Sequence, residues 1–325
     1  MSFADPTSPR LSTSDRARAL AALGRGELVG LPTETVYGLA GDATSPRAVA
    51  RIFALKGRPA DHPLIVHLGA VAWIEAWARE IPEGAWRLVE AFWPGPLTLI
   101  LRRRPEVLPE VTGGQDTVGL RMPAHPVALE LLQAFGRGLA APSANRFGHV
   151  SPTRAEHVRA EFGSELPLVL DGGPCAFGIE STIVDLSSGS ARILRPGALG
   201  AAELEAVLGQ PVARGQSAHS PRVSGSLASH YAPRAPAELC PRPALAERAA
   251  ALSRSHRSAL VLALDTLPAG LEGLALPSDP SGYARGLYAG LRSLDQRLPD
   301  RILIEAPPQD DAWLAIHDRL GRAAR

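Results

Sequence analysis

A short apolar run, Leu28 to Leu31, ends at Pro32 and is followed by Thr33-Glu34-Thr35-Val36-Tyr37-Gly38-Leu39-Ala40. The run reads as a buried strand, and the proline ends it because proline cannot donate to a sheet ladder. Two threonines, a carboxylate and a tyrosine then occur with almost no charge around them. A turn made only to be solvated is richer in Asn, Asp, Ser and Gly. Next comes Ser45-Pro46, an N-cap with proline at the first helical position. Ala48, Val49, Ile52, Phe53 and Leu55 keep a helical period and Gly57 is a natural stop, so Lys56 and Arg58 fall at a helix C-terminus. There they either complement the helix dipole or serve a site.

The rest of the chain continues this mixture. Residues 1–11 are small, polar and interrupted by Pro6 and Pro9, which predicts disorder. Ser14 is expected to cap a first helix running to about Leu23. Strands are expected at Leu28–Leu31, Leu64–Leu68, Leu97–Leu101, Val118–Met122, Leu139–Ala141, Leu168–Leu170, Ile183–Leu186 and Ala191–Leu194. Helices are expected at 46–56, 70–79, 84–92, 126–135, 153–162 and 201–208. Without strict alternation of strand and helix, residues 12–208 read as an α/β domain with a mixed twisted sheet and not as a simple Rossmann unit. Residues 209–236, rich in Pro, Gly and Ser with little periodicity, read as a linker. Residues 237–325 read as a smaller α/β domain with a Rossmann-like parallel sheet: helices at 242–253, 281–297 and 311–323, and strands at Ala259–Leu264 and Arg301–Glu305. Asp265 and Asp279 there read as loop-solvating groups.

With 325 residues, 45% of them hydrophobic, the chain suits two globular domains and can bury a core without disulfides. Its two cysteines, Cys175 and Cys240, lie far apart and have no partners at metal-ligand spacing, which points to a reducing compartment. No early run resembles a signal peptide and none is long enough to cross a membrane, so a cytoplasmic protein with no membrane partner is expected. The formal net charge of +1 gives no bulk attraction to nucleic acid, and Arg102-Arg103-Arg104 reads as a solvated loop.

Further motifs follow in order. They are Lys56-Gly57-Arg58-Pro59, Pro63-Leu64-Ile65-Val66-His67, Phe92-Trp93-Pro94-Gly95-Pro96-Leu97-Thr98 and Val118-Gly119-Leu120-Arg121-Met122-Pro123. Ala141-Pro142-Ser143-Ala144-Asn145 and Gly178-Ile179-Glu180-Ser181-Thr182-Ile183 complete the series. Together with the segment after Pro32, they resemble the YrdC-like family of threonylcarbamoyl-AMP synthases over roughly residues 15–200. Ser229-His230-Tyr231-Ala232-Pro233 resembles the linker of the two-domain members. The preceding Ser220 to Ser229 departs from the Ser-Pro-Gly-Met start and basic residues expected of such linkers.

The reaction that the resemblance implies is nucleotidyl transfer joining L-threonine, bicarbonate and ATP into threonylcarbamoyl-AMP and pyrophosphate. The product would serve N6-threonylcarbamoyl modification of adenosine 37 in tRNA through a downstream threonylcarbamoyl transferase. A carbamate oxygen is already anionic, so the phosphoryl step needs alignment, charge neutralisation and exclusion of water more than a protein nucleophile. Consistently, no Ser-His-Asp signature, Walker-type loop or HExxH motif occurs. Magnesium is expected to arrive with ATP, and no metal-ligand set is expected in the chain.

Lys56 and Arg58 are then candidates for catalysis and, with Arg195, for holding phosphate, arginine by two donors at once. Ser143 and Thr117 match nucleotide-side positions of the family, His62 the most variable of them. Ser151, before the expected helix at 153–162, could cap it as Thr153 could, and also present an anion site. Arg121 lies in an otherwise apolar strand where an unpaired charge is costly. Either the threonine carboxylate or an acid such as Glu34 or Glu180 offsets it. Thr35, His67, Ala141 and Ser181 match the threonine side. Tyr231 belongs to the segment that the resemblance makes a lid, a device that shields a carbamate and a mixed anhydride from water. Two other readings stay open: a non-catalytic RNA-binding module, with RNA contact as a further partner, and carbamoyl transfer from carbamoyl phosphate.

Overall fold

The computed structural model describes residues 10–217, 220–225 and 231–324. Predicted disorder at 1–11 therefore falls mostly outside the described residues, but Leu11 already packs against the core. Helix α1 (Thr13–Gly24) is capped by Ser12, whose hydroxyl accepts the Asp15 amide hydrogen at 3.0 Å, and Ser14 sits inside the helix. In order follow β1 (Val29–Leu31), β2 (Gly38–Asp42), α2 (Pro46–Lys56), β3 (Ile65–His67), α3 (Ile74–Trp77), α4 (Glu83–Phe92), β4 (Leu97–Arg102) and α5 (Pro109–Thr112). Then come β5 (Thr117–Arg121), α6 (Pro126–Phe135), β6 (Leu139–Ala140), α7 (Ala155–Phe162), β7 (Thr182–Asp185), β8 (Arg192–Arg195), α8 (Ala201–Leu208) and β9 (Ala213–Arg214).

Among the described residues these strands form a nine-stranded sheet in the order β1-β2-β6-β3-β5-β4-β7-β8-β9, with parallel and antiparallel neighbours mixed. Strand β2 has no strand-like composition, yet it is buried throughout and pairs with both β1 and β6. Pairing on both sides overrides its two glycines. The expected strand at 168–170 does not form a ladder of its own. It makes a single bridge, Val169 to Gly30, in which the Gly30 amide donates to the Leu168 carbonyl and the Leu170 amide donates to the Gly30 carbonyl, both at 2.9 Å. The expected helix at 70–79 breaks into a 3-10 turn at Val71–Trp73 followed by α3.

The smaller domain holds β10 (Ala237–Cys240), α9 (Leu245–Arg254), β11 (Ala259–Leu264), β12 (Gly273–Leu276), α10 (Pro280–Asp295), β13 (Arg301–Glu305) and α11 (Leu314–Ala323). Its four strands are all parallel in the order β10-β13-β11-β12, as the spacing predicted, although β10 and β12 were not legible as strands. Asp279 is a cap and not a solvating group: its carboxylate accepts the Gly282 amide hydrogen at 2.7 Å at the start of α10.

The two domains touch where α10 and α11 meet the turn before β7. Gly178 is at φ +76, and a Cβ there would lie 2.5 Å from the Arg285 Cα and 2.7 Å from the Ala284 carbonyl oxygen. A left-handed residue pressed against helix backbone tolerates no side chain. Gly178→Ala is expected to cost about 1–3 kcal/mol by overpacking. Denaturant unfolding checks this, and an unchanged midpoint would show that the helix can step aside.

Candidate functional site

Strand direction gathers the candidates. His67 and Arg121 are the last residues of β3 and β5, which are parallel, and they are register partners. Arg195 ends β8 opposite Ile183 of β7, and Ser181 immediately precedes β7. Thus the ends of β3, β5 and β8 and the start of β7 open on one edge of the sheet, the usual place for a ligand in an open α/β sheet. A cavity of about 40 Å³ lies there, lined by Thr35, Arg58, His67, Arg121, Ala141, Ser143, Ser181, Arg195 and Tyr231, among others.

Arg121 satisfies three of its N–H groups within the protein. It donates to Glu34 Oε1 at 2.6 Å, to Thr35 Oγ1 at 2.8 Å and to the Gly95 carbonyl at 3.2 Å. Of the two ways to offset its charge, the acid partner is thus present, and it is Glu34 and not Glu180. Both side chains are nearly buried, at 5% and 7% exposure. Burial, with the Arg121 charge, pushes His67 down to about 3, so the ring is neutral and offers hydrogen bonds without charge.

Arg195 grips the residue before β7. Its Nε and Nη2 donate to the Ser181 carbonyl at 3.1 and 2.9 Å, and Nη2 also reaches Ser181 Oγ at 3.0 Å. Its Nη1 donates to the Ser224 carbonyl at 3.0 Å. Arg58 donates to the Pro63 carbonyl at 2.9 Å and to Ser224 Oγ at 3.2 Å. Its Nε is buried and has no hydrogen-bond partner among the described residues. Burial lowers Arg58 to about 10, and the Arg195 charge acts in the same direction. An arginine remains charged at neutral pH even so.

Four candidates stand outside this cavity. Lys56 does not line it. Its ammonium is buried and donates to the Ser143 and Asn145 carbonyls, the second at 2.6 Å, so it staples the loop that presents Ser143. His62 packs edge-on against the Phe147 ring at 5.4 Å. Thr117 lines a small neighbouring cavity beneath Val223 and Ser224. Ser151 caps nothing: α7 starts at Ala155 with Arg154 at its cap position and no side-chain cap, and Thr153 does not cap it either. Ser151 is buried and donates to Glu180 Oε1 at 2.6 Å.

Sequence reasoning assigned no role to Thr33, Ser224 or Gly225, all of which line the cavity, and it treated Glu180 only as a possible partner of Arg121. Glu180 lay within a recognised motif, whereas Ser224 lay in a segment without periodicity, and only its position over the strand ends reveals it. That segment and Tyr231 cover the cavity; Ser229 and His230 of the linker motif lie outside the described residues.

Burial alone would raise Glu180, but the Arg319 and Arg195 charges and the bonds from Ser151 and Arg319 bring it down to about 2 from 4.5. A carboxylate depressed in the folded state contributes stability above its unfolded value and loses it as pH falls through its folded value. The stability difference between wild type and Glu180→Gln should therefore shrink as pH falls from about 4.5 to about 2. Urea titrations across that window check the sign; a constant difference would show that the Glu180 charge contributes nothing.

The fold and site define a two-domain α/β protein with an arginine-rich cavity at its strand ends. A family model described as telomere recombination matches residues 21–197, and one described as threonylcarbamoyl-AMP synthase, C-terminal domain, matches residues 199–325. The chain belongs to the threonylcarbamoyl-AMP synthase family. It is 41% identical over 310 residues to the threonylcarbamoyl-AMP synthase of Pyrococcus abyssi, covering 92% of this chain and 91% of that protein. It is 40% identical over 338 residues to that of Bacillus subtilis, covering 99% and 96%. The crystal structure of P. abyssi Sua5 complexed with L-threonine superposes with a TM-score of 0.91 at 38% identity, over 97% of this chain and 96% of that one. Among the described residues no helix is long and apolar enough to cross a membrane.

Proposed function

We propose that this chain is a nucleotidyltransferase that makes L-threonylcarbamoyl-AMP from L-threonine, bicarbonate and ATP and releases pyrophosphate. The threonine amine, having lost a proton, adds to the carbonyl carbon of bicarbonate, water leaves, and a carbamate results. A carbamate oxygen then attacks the α-phosphorus as the bond to the pyrophosphate oxygen breaks. What supports the reading is the convergence of the Arg58, Arg121 and Arg195 guanidiniums on one small cavity, beside the neutral His67 and the hydroxyls of Thr35, Ser143 and Ser181. Glu34 offsets Arg121, but among the described residues Arg58 and Arg195 have only carbonyl and hydroxyl acceptors for their hydrogen bonds, and such buried cations are costly unless an anion completes the site.

In this reading Arg121, Thr35, His67, Ser181 and the Ala141 backbone hold threonine, with L-threonine bound to a related structure as support. Arg58, whose Nε has no hydrogen-bond partner among the described residues, and Arg195 face phosphate, and Lys56 acts through the loop it staples. Ser143, Thr117, His62 and Ser151 form the nucleotide side, the last two from behind. A cavity of about 40 Å³ is far below the 300–1,000 Å³ of a usual small-molecule site, so the segment at 220–225 and Tyr231 must lift to admit ATP. Closing it again shields the carbamate and the mixed anhydride from water.

Magnesium accompanying the triphosphate supplies further neutralisation of phosphate charge. The chain's own contribution to that neutralisation is the arginine wall of Arg58, Arg121 and Arg195. The product, an activated acyl donor, suits a downstream transferase that modifies tRNA adenosine. The test is pyrophosphate release from ATP. Release that requires both threonine and bicarbonate is expected; release supported by carbamoyl phosphate in their place, or none at all, would defeat the reading.

A further inference from the structure

Helix α11 belongs to the smaller domain, yet its Arg319 is fully buried and is the largest such side chain among the described residues. Its guanidinium faces the larger domain. Nε donates to Glu180 Oε2 at 2.8 Å, Nη2 to the Glu180 carbonyl at 3.4 Å, and Nη1 to the Pro196 carbonyl at 3.0 Å. Nη1 also reaches Asp318 Oδ2 at 2.7 Å. Glu180 precedes Ser181 and Pro196 follows Arg195, and Ser181 and Arg195 are bonded to each other in the cavity wall. One arginine therefore clamps the two backbone segments that carry Ser181 and Arg195 into the cavity wall.

The same guanidinium lies 5.4 Å from the centroid of the Tyr231 ring. Tyr231 stacks on Tyr288 of α10 at 5.6 Å and 29°, and the Tyr288 hydroxyl donates to Glu180 Oε2 at 2.9 Å. Tyr231 holds a left-handed backbone at φ 62, a conformation that persists in a non-glycine residue when its surroundings over-determine it. Tyr288 and Arg319 are part of those surroundings. Apolar packing would hold two domains together as well or better than a buried ion pair, which fixes geometry instead.

We propose that Arg319 is a positioning residue of the synthase site. Through Glu180 and Pro196 it fixes Ser181 against Arg195, and through the Tyr231 ring it seats the linker over the cavity. The smaller domain thus completes a site to which neither Arg319 nor Tyr288 contributes a lining group. This rests on the proposed reaction, and the readouts separate the two.

Arg319→Met, Arg319→Lys and Tyr288→Phe are made in the full chain and compared by circular dichroism, steady-state pyrophosphate release and calorimetric titration with L-threonine. Arg319→Met is expected to raise the KM and Kd for threonine by about 10- to 100-fold, by analogy with the loss of an outer-shell group that orients a metal ligand. Its circular dichroism should match wild type. Arg319→Lys should recover part of the loss, and Tyr288→Phe should shift both constants the same way by less. Unchanged threonine constants with a lowered kcat would overturn the proposal, because lost folded protein alone produces that pattern. So would a lysine variant no better than the methionine one. If Arg319→Met does not fold, the lysine and phenylalanine variants decide by the same constants. Wild-type protein that binds threonine without releasing pyrophosphate would defeat the reaction while leaving the titrations to judge Arg319.

Discussion

Arg121→Met is expected to destabilise the protein by about 3–5 kcal/mol, the usual cost of removing one partner from a buried ion pair. It should also abolish threonine-dependent pyrophosphate release. The reason is the Glu34 carboxylate, which accepts from Arg121 at 2.6 Å and whose other oxygen has no hydrogen-bond partner among the described residues. Without the guanidinium, a nearly bare carboxylate would remain in the interior. The double variant Glu34→Gln, Arg121→Met should regain much of the stability and none of the activity, since it removes the lone charge but not the need for a cation beside threonine. Denaturant unfolding gives the first quantity and pyrophosphate release the second. A double variant no more stable than Arg121→Met would show that the loss comes from packing and not from charge.

Lys56→Met should cost about 2–4 kcal/mol and also impair ATP use, as two hydrogen bonds from a charged donor are lost together. Burial, with the Arg58 charge, holds the Lys56 ammonium well below the usual lysine range, and the Ser143 and Asn145 carbonyls are its compensation. Removing it frees the loop that places Ser143 on the cavity wall. Kinetics and unfolding must therefore fall together. A Lys56→Met protein with wild-type stability and weakened ATP use would mean that the ammonium serves the ligand directly and not the loop.

Much of this was legible before any fold was known. The run ending at Pro32, the Ser45-Pro46 start of α2 and its Gly57 stop are local events, set by proline's missing donor and by capping. The all-parallel smaller sheet followed from strand and helix spacing, although β10 and β12 did not. The strand at 168–170 and the helix cap at Ser151 misled because composition reports preference and not pairing. Val169 found one bridge to β1, and Ser151 found Glu180.

The sequence by itself determined that Arg121 carries its charge into an apolar strand and that Lys56, Arg58 and Arg195 supply cations at helix or strand ends. Tertiary structure alone decided what each charge meets. Glu34 and Glu180 were equally eligible partners for Arg121 in the sequence; the loop between β1 and β2 brought it Glu34, while Glu180 went to Arg319, which is 139 residues away. Such pairings depend on which backbones approach in three dimensions, a property spread over the whole chain and carried by no local pattern.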